Sequence, residues 1–176
     1  MRVIGGEFRS RLLKSPEGLD VRPTPDRLRE ALFNVLTPVI SRETVFVDCY
    51  AGAGSVGIEA LSRGAARSIF VERSKQAVRV LESNIRSLGL EARARVIHGG
   101  VTTYLKSVRG DIVFLDPPYA LTEEYQRSLD LLGETPPPLV VMQHSSRQIL
   151  PETAGALQRY RVLRHGDNSL SFYRSE

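Results

Sequence analysis

Short apolar runs rich in β-branched residues alternate along this chain with stretches that have the spacing of amphipathic helices. Such alternation is typical of a parallel sheet with helices packed on its faces. The strand-like runs are Val45–Asp48, Ser68–Glu72, Ala94–His98, Ile112–Asp116 and Leu139–Gln143. The helix-like stretches are Val56–Arg63, Lys75–Leu88, Thr102–Lys106 and Glu123–Leu132. We therefore predict an α/β fold built on a doubly wound parallel sheet.

The end of the chain has a different pattern. Two β-like runs, Arg159–Arg164 and Ser169–Arg174, follow residue 156 and are joined by the turn residues Gly166, Asp167 and Asn168. Turn residues between two such runs indicate an antiparallel hairpin. Together with the five earlier strands, the hairpin predicts a mostly parallel seven-stranded sheet that ends in an antiparallel pair.

The N-terminal part of the chain is basic. Residues 1–14 contain four basic residues and one acidic residue, so four minus one leaves a local charge of +3. The four are Arg2, Arg9, Arg11 and Lys14. This segment shows little apolar periodicity, which is typical either of a basic arm that binds a polyanion or of an ordinary solvated terminus.

A helix is predicted next, because Thr24 and Pro25 favour a helix start and the following apolar residues are spaced as on one helix face up to about Leu36. Arg22, Arg27 and Arg29 are expected on its approach or its polar side. We predict that residues 1–40 form an extension in front of a catalytic domain at 41–176.

Composition limits the classes of partner and compartment. The chain has 24 Lys and Arg against 20 Asp and Glu, a net charge of +4 that suits a polyanionic partner. Cys49 is the single cysteine, so an intrachain disulfide is excluded and a reducing compartment is expected. No apolar run approaches the ~18 residues of a membrane span, and the N-terminus lacks an apolar signal core. These features favour a cytoplasmic protein.

A glycine-rich loop follows the first strand and opens the next helix. Read from Gly52, residues 52–57 match G-x-G-x-x-G, and Glu72 ends the following strand, where an acid that binds ribose is expected. Asp48 and Asp116 also end strands, so three carboxylates should line one edge of the sheet. They would repel a pyrophosphate and suit the sulfonium and ammonium groups of S-adenosylmethionine. An oxidoreductase that binds nicotinamide remains the alternative.

The sequence Asp116-Pro117-Pro118-Tyr119 ends an apolar strand, and its prolines force the backbone out of the sheet. An exocyclic amino group of a base is a poor nucleophile, because its lone pair is delocalised into the ring. Hydrogen bonds to the Asp116 carboxylate and the Pro117 carbonyl would aim that lone pair at a methyl group, and Asp116 could accept the released proton. Tyr119 would stack on the base. The alternative is a purely structural turn.

These motifs resemble known families. The DPPY sequence at 116–119 is similar to the motif of amino-group methyltransferases, which act on DNA adenine N6, RNA guanine N2 or protein glutamine N5. The segments 2–11 and 22–34 resemble the RsmD family, and the resemblance covers about residues 2–175. It implies a Rossmann-like class I fold, S-adenosylmethionine as cofactor, and methylation of the N2 amino group of a guanine in 16S ribosomal RNA.

The resemblance also implies roles for individual residues. The segment with Arg22, Thr24, Arg27 and Glu30 closes over cofactor and substrate in that family. Residues predicted to bind the cofactor are Asp48, Tyr50, Ala51, Gly52, Gly54, Glu72, Arg73 and Thr24. Residues predicted to bind RNA are Arg9, Arg11, Arg22 and Arg27, and the predicted partner is ribosomal RNA or the small ribosomal subunit.

The chain departs from the wider methyltransferase pattern after the third strand, where His98-Gly99-Gly100 replaces an acidic or amide residue that would bind adenine. Backbone groups are therefore expected to bind the adenine. His98, His144 and Ser145 receive no catalytic role, and no residue spacing indicates a metal site. A DNA adenine or protein glutamine methyltransferase and an inactive RNA-binding assembly factor remain alternatives. We expect a monomer.

Overall fold

The computed structural model describes residues 1–18, 24–107 and 109–175, and eight strands in these ranges form one sheet. The strands are β1 Val45–Cys49, β2 Arg67–Glu72, β3 Ala94–His98, β4 Ile112–Leu115, β5 Leu139–Ser145, β6 Thr153–Ala154, β7 Leu157–His165 and β8 Asn168–Ser175. Their order across the sheet is β3-β2-β1-β4-β5-β8-β7-β6. Strands β1 to β5 are parallel, and β8 is antiparallel to both β5 and β7.

This topology confirms the predicted doubly wound sheet with its C-terminal hairpin. Seven strands coincide with the predicted runs to within a few residues, and the two-residue strand β6 extends the edge beyond β7. The strand order reverses between β1 and β4, because β1 continues through a helix to β2 on one side while β4 pairs on its other side. Ligands of open α/β sheets bind at the carboxyl ends of the strands at such a point.

Helices cover both faces of the sheet. They are α1 Asp26–Leu36, α2 Ser55–Ser62, α3 Lys75–Ser87, α4 Val101–Tyr104 and α5 Thr122–Glu134. Helices α1, α2 and α3 pack on the face that includes Phe46 and Phe70, whereas α4 and α5 pack on the face that includes Val47 and Val71. The predicted apolar stripe of α3 is buried, and the Ser74 hydroxyl caps the helix by accepting from the Ala77 amide.

The N-terminal residues form a folded hairpin rather than a loose arm. The Val3 amide donates to Arg11 O at 3.0 Å, and the Ser10 amide donates to Val3 O at 2.9 Å. Val3 and Leu13 are buried in a core cluster with side chains of α2 and α3. Two apolar residues ten positions apart give no helical or strand period, which explains why the sequence pattern missed this element.

The prediction that Arg29 lies on the polar side of α1 is wrong. Its side chain is fully buried, and it donates to Arg2 O and to Asp26 Oδ1. Its Nε lies 3.9 Å from Oε2 of the fully buried Glu59. Glu59 accepts from the amides of Ile4 and Gly5 and from Arg63 Nε.

This buried network joins the N-terminal hairpin, α1 and α2 into one packed unit. No helix in the described ranges is long and apolar enough to cross a membrane.

Candidate active site

A cavity of about 570 Å³ opens at the carboxyl edge of the sheet, at the point where the strand order reverses. The three residues predicted to be catalytic, Asp116, Pro117 and Tyr119, line it. Tyr50, Gly52, Glu72 and Arg73, which were predicted to bind the cofactor, line the same cavity. The fold therefore brings most of the predicted site residues to one place.

The glycine loop is held by the Glu72 carboxylate. Its Oε2 accepts from the Gly52 amide and its Oε1 accepts from the Ser74 amide, both at 2.8 Å. Gly52 has φ +56° and no atom within 4 Å of the place where a Cβ would lie, so the loop backbone is open to a ligand. Tyr50 also has a positive φ, of 61°, which is uncommon for a non-glycine residue and is typical of functional loops.

The later glycines of the loop have a packing role. A Cβ on Gly54 would lie 2.2 Å from Leu81 Cδ1, and one on Gly57 would lie 2.3 Å from a ring carbon of Phe70. These glycines let α2 approach β2 and α3 closely. Gly54 lines neither of the two cavities at this edge, and its contact with the cofactor stays a prediction.

Asp48 lies deeper than expected. It is buried, its Oδ2 accepts from the Gly57 amide at 2.8 Å, and burial raises the pKa of its carboxyl well above the ordinary value. It lines a second, smaller cavity together with Ala51 and Thr24, and Asp116 borders both cavities. The three predicted carboxylates thus share one sheet edge, but only Glu72 and Asp116 line the large cavity.

Asp116 occupies the environment expected of a proton acceptor. Burial raises the pKa of its carboxyl to about 7, and a hydrogen bond with the Thr24 side chain partly opposes this rise. The neighbouring Pro117 carbonyl accepts from Tyr125 Oη at 3.0 Å, which fixes its direction. A carbonyl oxygen has two lone pairs, so the second one is available to a ligand. Two acceptors with fixed directions therefore stand side by side at the cavity.

Tyr119 presents its ring to the opening of the cavity. The residue is 41% exposed, and its hydroxyl is hydrogen-bonded to Asn168 Oδ1 at the start of β8. A ring held in this way offers a face on which a planar group can stack.

Residues 1–174 match the model of the family described as Conserved hypothetical protein 95. The chain belongs to this family. The match includes the N-terminal hairpin as well as the sheet, so both are parts of one family architecture.

Curated relatives of this family member carry methyltransferase names. "Putative rRNA methyltransferase YlbH" of Bacillus subtilis (strain 168) is 35% identical over 190 residues, which cover 99% of this chain and 98% of that protein. "Ribosomal RNA small subunit methyltransferase D" of Escherichia coli (strain K12) is 41% identical over 121 residues. That match covers 68% of this chain and 60% of the relative.

Solved structures share the fold. "Putative methyltransferase yhhF" from Escherichia coli superposes with a TM-score of 0.85 at 34% identity, and the match covers 100% of this chain and 98% of that one. An RNA methyltransferase from Salinibacter ruber, solved in complex with S-adenosyl-L-homocysteine, superposes with a TM-score of 0.68 at 16% identity. That match covers 88% of this chain and 94% of the other. The class I methyltransferase fold is thereby established.

The predicted RNA-binding residues of this family member lie outside the cavity lining. Arg9, Arg11 and Arg27 are exposed, and Arg11 donates to Ser87 O at 3.2 Å. Arg22 lies outside the described residues. Of the family's closing segment, Thr24 is buried against the catalytic carboxylate and Glu30 is exposed. Binding of RNA by these arginines stays a prediction.

The histidines have structural partners. His98 Nε2 is hydrogen-bonded to Arg73 O, while Gly99 and Gly100 line the large cavity, as expected if backbone groups bind the adenine. His144 is bonded to Ser145 O and Ser171 Oγ, and burial lowers the pKa of its imidazole. Among the described residues, no cluster of His, Cys, Asp and Glu could hold a metal ion.

Four polar residues of the site were missed by the sequence interpretation. Asn168 was counted only as a turn residue, and Gln143 only as a strand end, yet both line the large cavity. Glu124 also lines it and accepts from Tyr50 Oη at 2.6 Å. Tyr125 was treated only as part of a helix. Each depends on a contact between elements distant in sequence, so a local pattern could not reveal it.

Proposed function

We propose that this protein transfers a methyl group from S-adenosylmethionine to the exocyclic N2 amino group of a guanine in small-subunit ribosomal RNA. The observation that carries the proposal is the pair of fixed acceptors, the Asp116 carboxylate and the Pro117 carbonyl, next to the glycine loop. The name of the Escherichia coli relative, a small-subunit ribosomal RNA methyltransferase, supports the choice of substrate.

The residues of the cavity fit S-adenosylmethionine. The open backbone at Gly52 and the Glu72 carboxylate beside it match an amino acid and a ribose, and the acidic lining suits a cationic ligand. When bound, this cofactor supplies a methyl group on a positively charged sulfur. The cavity contains no cluster of basic side chains that would favour a pyrophosphate, because Arg73 is its one basic lining residue among those described.

The chain's own residues then prepare the nucleophile. The Asp116 carboxylate accepts one amino hydrogen and the Pro117 carbonyl accepts the other, so the nitrogen becomes tetrahedral and its lone pair faces the methyl carbon. A nitrogen–carbon bond forms as the carbon–sulfur bond breaks, and the bonding pair stays on sulfur. The amino proton passes to Asp116, whose pKa of about 7 lets it accept and later release a proton near neutral pH.

The exposed ring of Tyr119 holds the base in plane with these acceptors. Base–aromatic stacking contributes roughly 1–3 kcal/mol per base, and the bond to Asn168 keeps the ring in place before the base arrives. Ribosomal RNA as substrate implies a cytoplasmic enzyme, and we expect it to act as a monomer.

Transfer of a labelled methyl group distinguishes the candidate substrates. Purified protein and labelled S-adenosylmethionine are incubated with total RNA, DNA and protein from cells that lack the enzyme. We expect the label in small-subunit ribosomal RNA. Label in DNA would favour the adenine enzyme, label in protein would favour the glutamine enzyme, and no label in any fraction would favour an inactive assembly factor.

We expect Glu72→Ala to weaken cofactor binding by ~1–3 kcal/mol, because the ribose loses a charged acceptor and the Gly52 amide loses the partner that holds the loop. Calorimetric titration with S-adenosylhomocysteine measures the change. Glu123→Ala, at an exposed position of α5 outside the cavity lining, is the matched control and should bind like the wild type. Tight binding of NAD without a response to S-adenosylhomocysteine would contradict the cofactor assignment.

We expect the exposed arginines of the N-terminal hairpin to supply part of the RNA affinity. Arg9→Ala or Arg11→Ala should reduce the slope of log affinity against log salt by about one unit for each RNA phosphate that the variant no longer neutralises. Arg127→Ala, at an exposed position of α5, serves as the control for simple removal of a positive charge. A slope that stays the same in both hairpin variants would locate the RNA surface elsewhere.

A further inference from the structure

Gln143 lies beside the catalytic carboxylate. Strands β4 and β5 are paired in register from Ile112 and Leu139 to Leu115 and Met142, so the next step along both strands brings Asp116 next to Gln143. Residues Phe114 and Val141, two positions earlier, face the α1 side of the sheet. Because side chains alternate along a strand, Asp116 and Gln143 continue that row on the same face.

Thr24 connects the two side chains. It is buried at the approach to α1, its hydroxyl is hydrogen-bonded to Asp116, and its Oγ1 lies 3.3 Å from Gln143 Oε1. Gln143 is 3% exposed, and its carboxamide borders the cavity. The three side chains form one row of hydrogen bonds, and a buried amide without partners in such a position would be costly.

Counting protons limits how this row can be arranged. A hydroxyl donates once, and an ionised carboxylate only accepts. When Asp116 is ionised, Thr24 must donate to it, and Gln143 must then turn its NH₂ group toward Thr24 Oγ1. When Asp116 is protonated, its O–H donates to Thr24 Oγ1, and Thr24 donates to Gln143 Oε1. The second arrangement has the amide oriented as in the structure.

A carboxamide serves both arrangements, because a half-turn about its terminal bond exchanges a donor for an acceptor at the same place. A carboxylate could only accept, and an apolar side chain could do neither.

We propose that Gln143 is a positioning residue that keeps the Thr24 hydroxyl bonded to Asp116 both before and after Asp116 takes up the proton of the amino group. This inference rests on the proposed function, in which Asp116 accepts that proton. Gln143 acts through Thr24, and it assigns a purpose to the buried amide that the methyl-transfer step alone leaves unused.

Other ionisable groups surround Asp116 and must be kept constant in a test. Asp48 of β1 and Glu72 of β2 bring negative charge from the neighbouring strands, and the hydroxyls of Tyr125 and Tyr119 approach from the α5 side. Gln143→Met leaves all of them in place and matches the volume of the original side chain. Gln143→Glu offers only an acceptor and adds a charge.

Two readouts test the proposal. The first is the pKa of Asp116, followed by carbon NMR of protein labelled at aspartate carboxyls, and the second is the single-turnover rate as a function of pH. In Gln143→Met we expect a higher Asp116 pKa and a rate that falls roughly 2–10-fold at neutral pH, with little change in KM. In Gln143→Glu we expect a larger rise in that pKa and a rate profile displaced to higher pH.

Thr24→Val closes the cycle. If Gln143 acts through the hydroxyl, Gln143→Met should have no further effect on the Asp116 pKa in the Thr24→Val background, whereas Thr24→Ser should retain the wild-type coupling. An Asp116 pKa in Gln143→Met equal to that of the wild type, or an equal shift in the Thr24→Val background, would overturn the proposal.

If Gln143→Met does not fold, comparing Thr24→Val with Thr24→Ser in the Gln143→Glu protein gives the same coupling. The NMR titration needs no RNA. Failure of guanine methylation by the wild type would therefore refute the proposed function without obscuring this result.

Discussion

Asp116→Ala should reduce the rate of methyl transfer by about 10²–10⁴-fold. The variant removes the acceptor that orients the amino group and also the group that takes up its proton, while the Pro117 carbonyl remains held by Tyr125. Single-turnover rates on unmodified RNA at saturating cofactor measure the effect without contributions from product release.

The Asn variant separates orientation from charge. Asp116→Asn keeps a hydrogen-bond acceptor and cannot take up a proton. We expect a rate between those of the wild type and Asp116→Ala if orientation dominates, and a rate as low as that of Ala if proton uptake dominates. Tyr119→Phe should retain most activity because its ring still stacks, whereas Tyr119→Ala should lose ~1–3 kcal/mol of base binding. Transfer by Asp116→Ala at nearly the wild-type rate would remove Asp116 from catalysis.

Both Asp116 variants should still fold, and above neutral pH they should be more stable than the wild type. The folded protein raises the pKa of Asp116 from 3.8 to about 7, so between these values the folded state retains a proton that the unfolded state releases. The stability contributed by this proton is complete below pH ~4 and is lost as the pH rises through about 7. At 1.36 kcal/mol per pKa unit, the penalty above pH 7 is up to ~4 kcal/mol. Thermal unfolding of Asp116→Asn at pH 8 and at pH 5 tests the sign.

Glu59→Gln should destabilise the protein by about 3–5 kcal/mol, since it leaves the buried cation of Arg29 without its compensating charge. Arg29 is completely buried, burial lowers the pKa of its guanidinium, and the Glu59 carboxylate is the main group that opposes this effect. Glu59 also holds the Ile4 and Gly5 amides, so the N-terminal hairpin should detach as well. Unfolding in denaturant gives the free energy, and hydrogen exchange of the hairpin amides reports the detachment.

Asp26→Asn is the matched control for Glu59. The Asp26 carboxylate also contacts Arg29, at 3.0 Å, but its side chain is 62% exposed. Ion pairs of this kind contribute ~0–1 kcal/mol. Equal losses of stability for the two variants would contradict the distinction between a buried and an exposed partner of Arg29.

The sheet was predictable because its determinants are local. Each parallel strand is a short apolar run, α3 carries its buried residues on one stripe, and the turn at Gly166 separates two β-like runs. The position of Asp116 followed in the same way, because the two prolines after it end the strand. Strand-end carboxylates were therefore placed at the correct edge from sequence alone.

The remaining features depend on contacts between distant residues. Arg29 has the spacing of a solvated helix residue, and only the position of Glu59, thirty residues later, makes its burial possible. Asn168 orients Tyr119 from the far hairpin, and Gln143 reaches Asp116 through a threonine more than a hundred residues earlier. A polar residue reveals such a role only when its partner is known, and the partner is set by the fold.

The most direct test of the central claim is nucleoside mass spectrometry of small-subunit ribosomal RNA, isolated from cells that lack the enzyme and treated with the purified protein and S-adenosylmethionine carrying a deuterated methyl group. We predict deuterated N2-methylguanosine with the wild type and its loss with Asp116→Ala. Label in another nucleoside, or N2-methylguanosine at undiminished yield with Asp116→Ala, would contradict the proposed function.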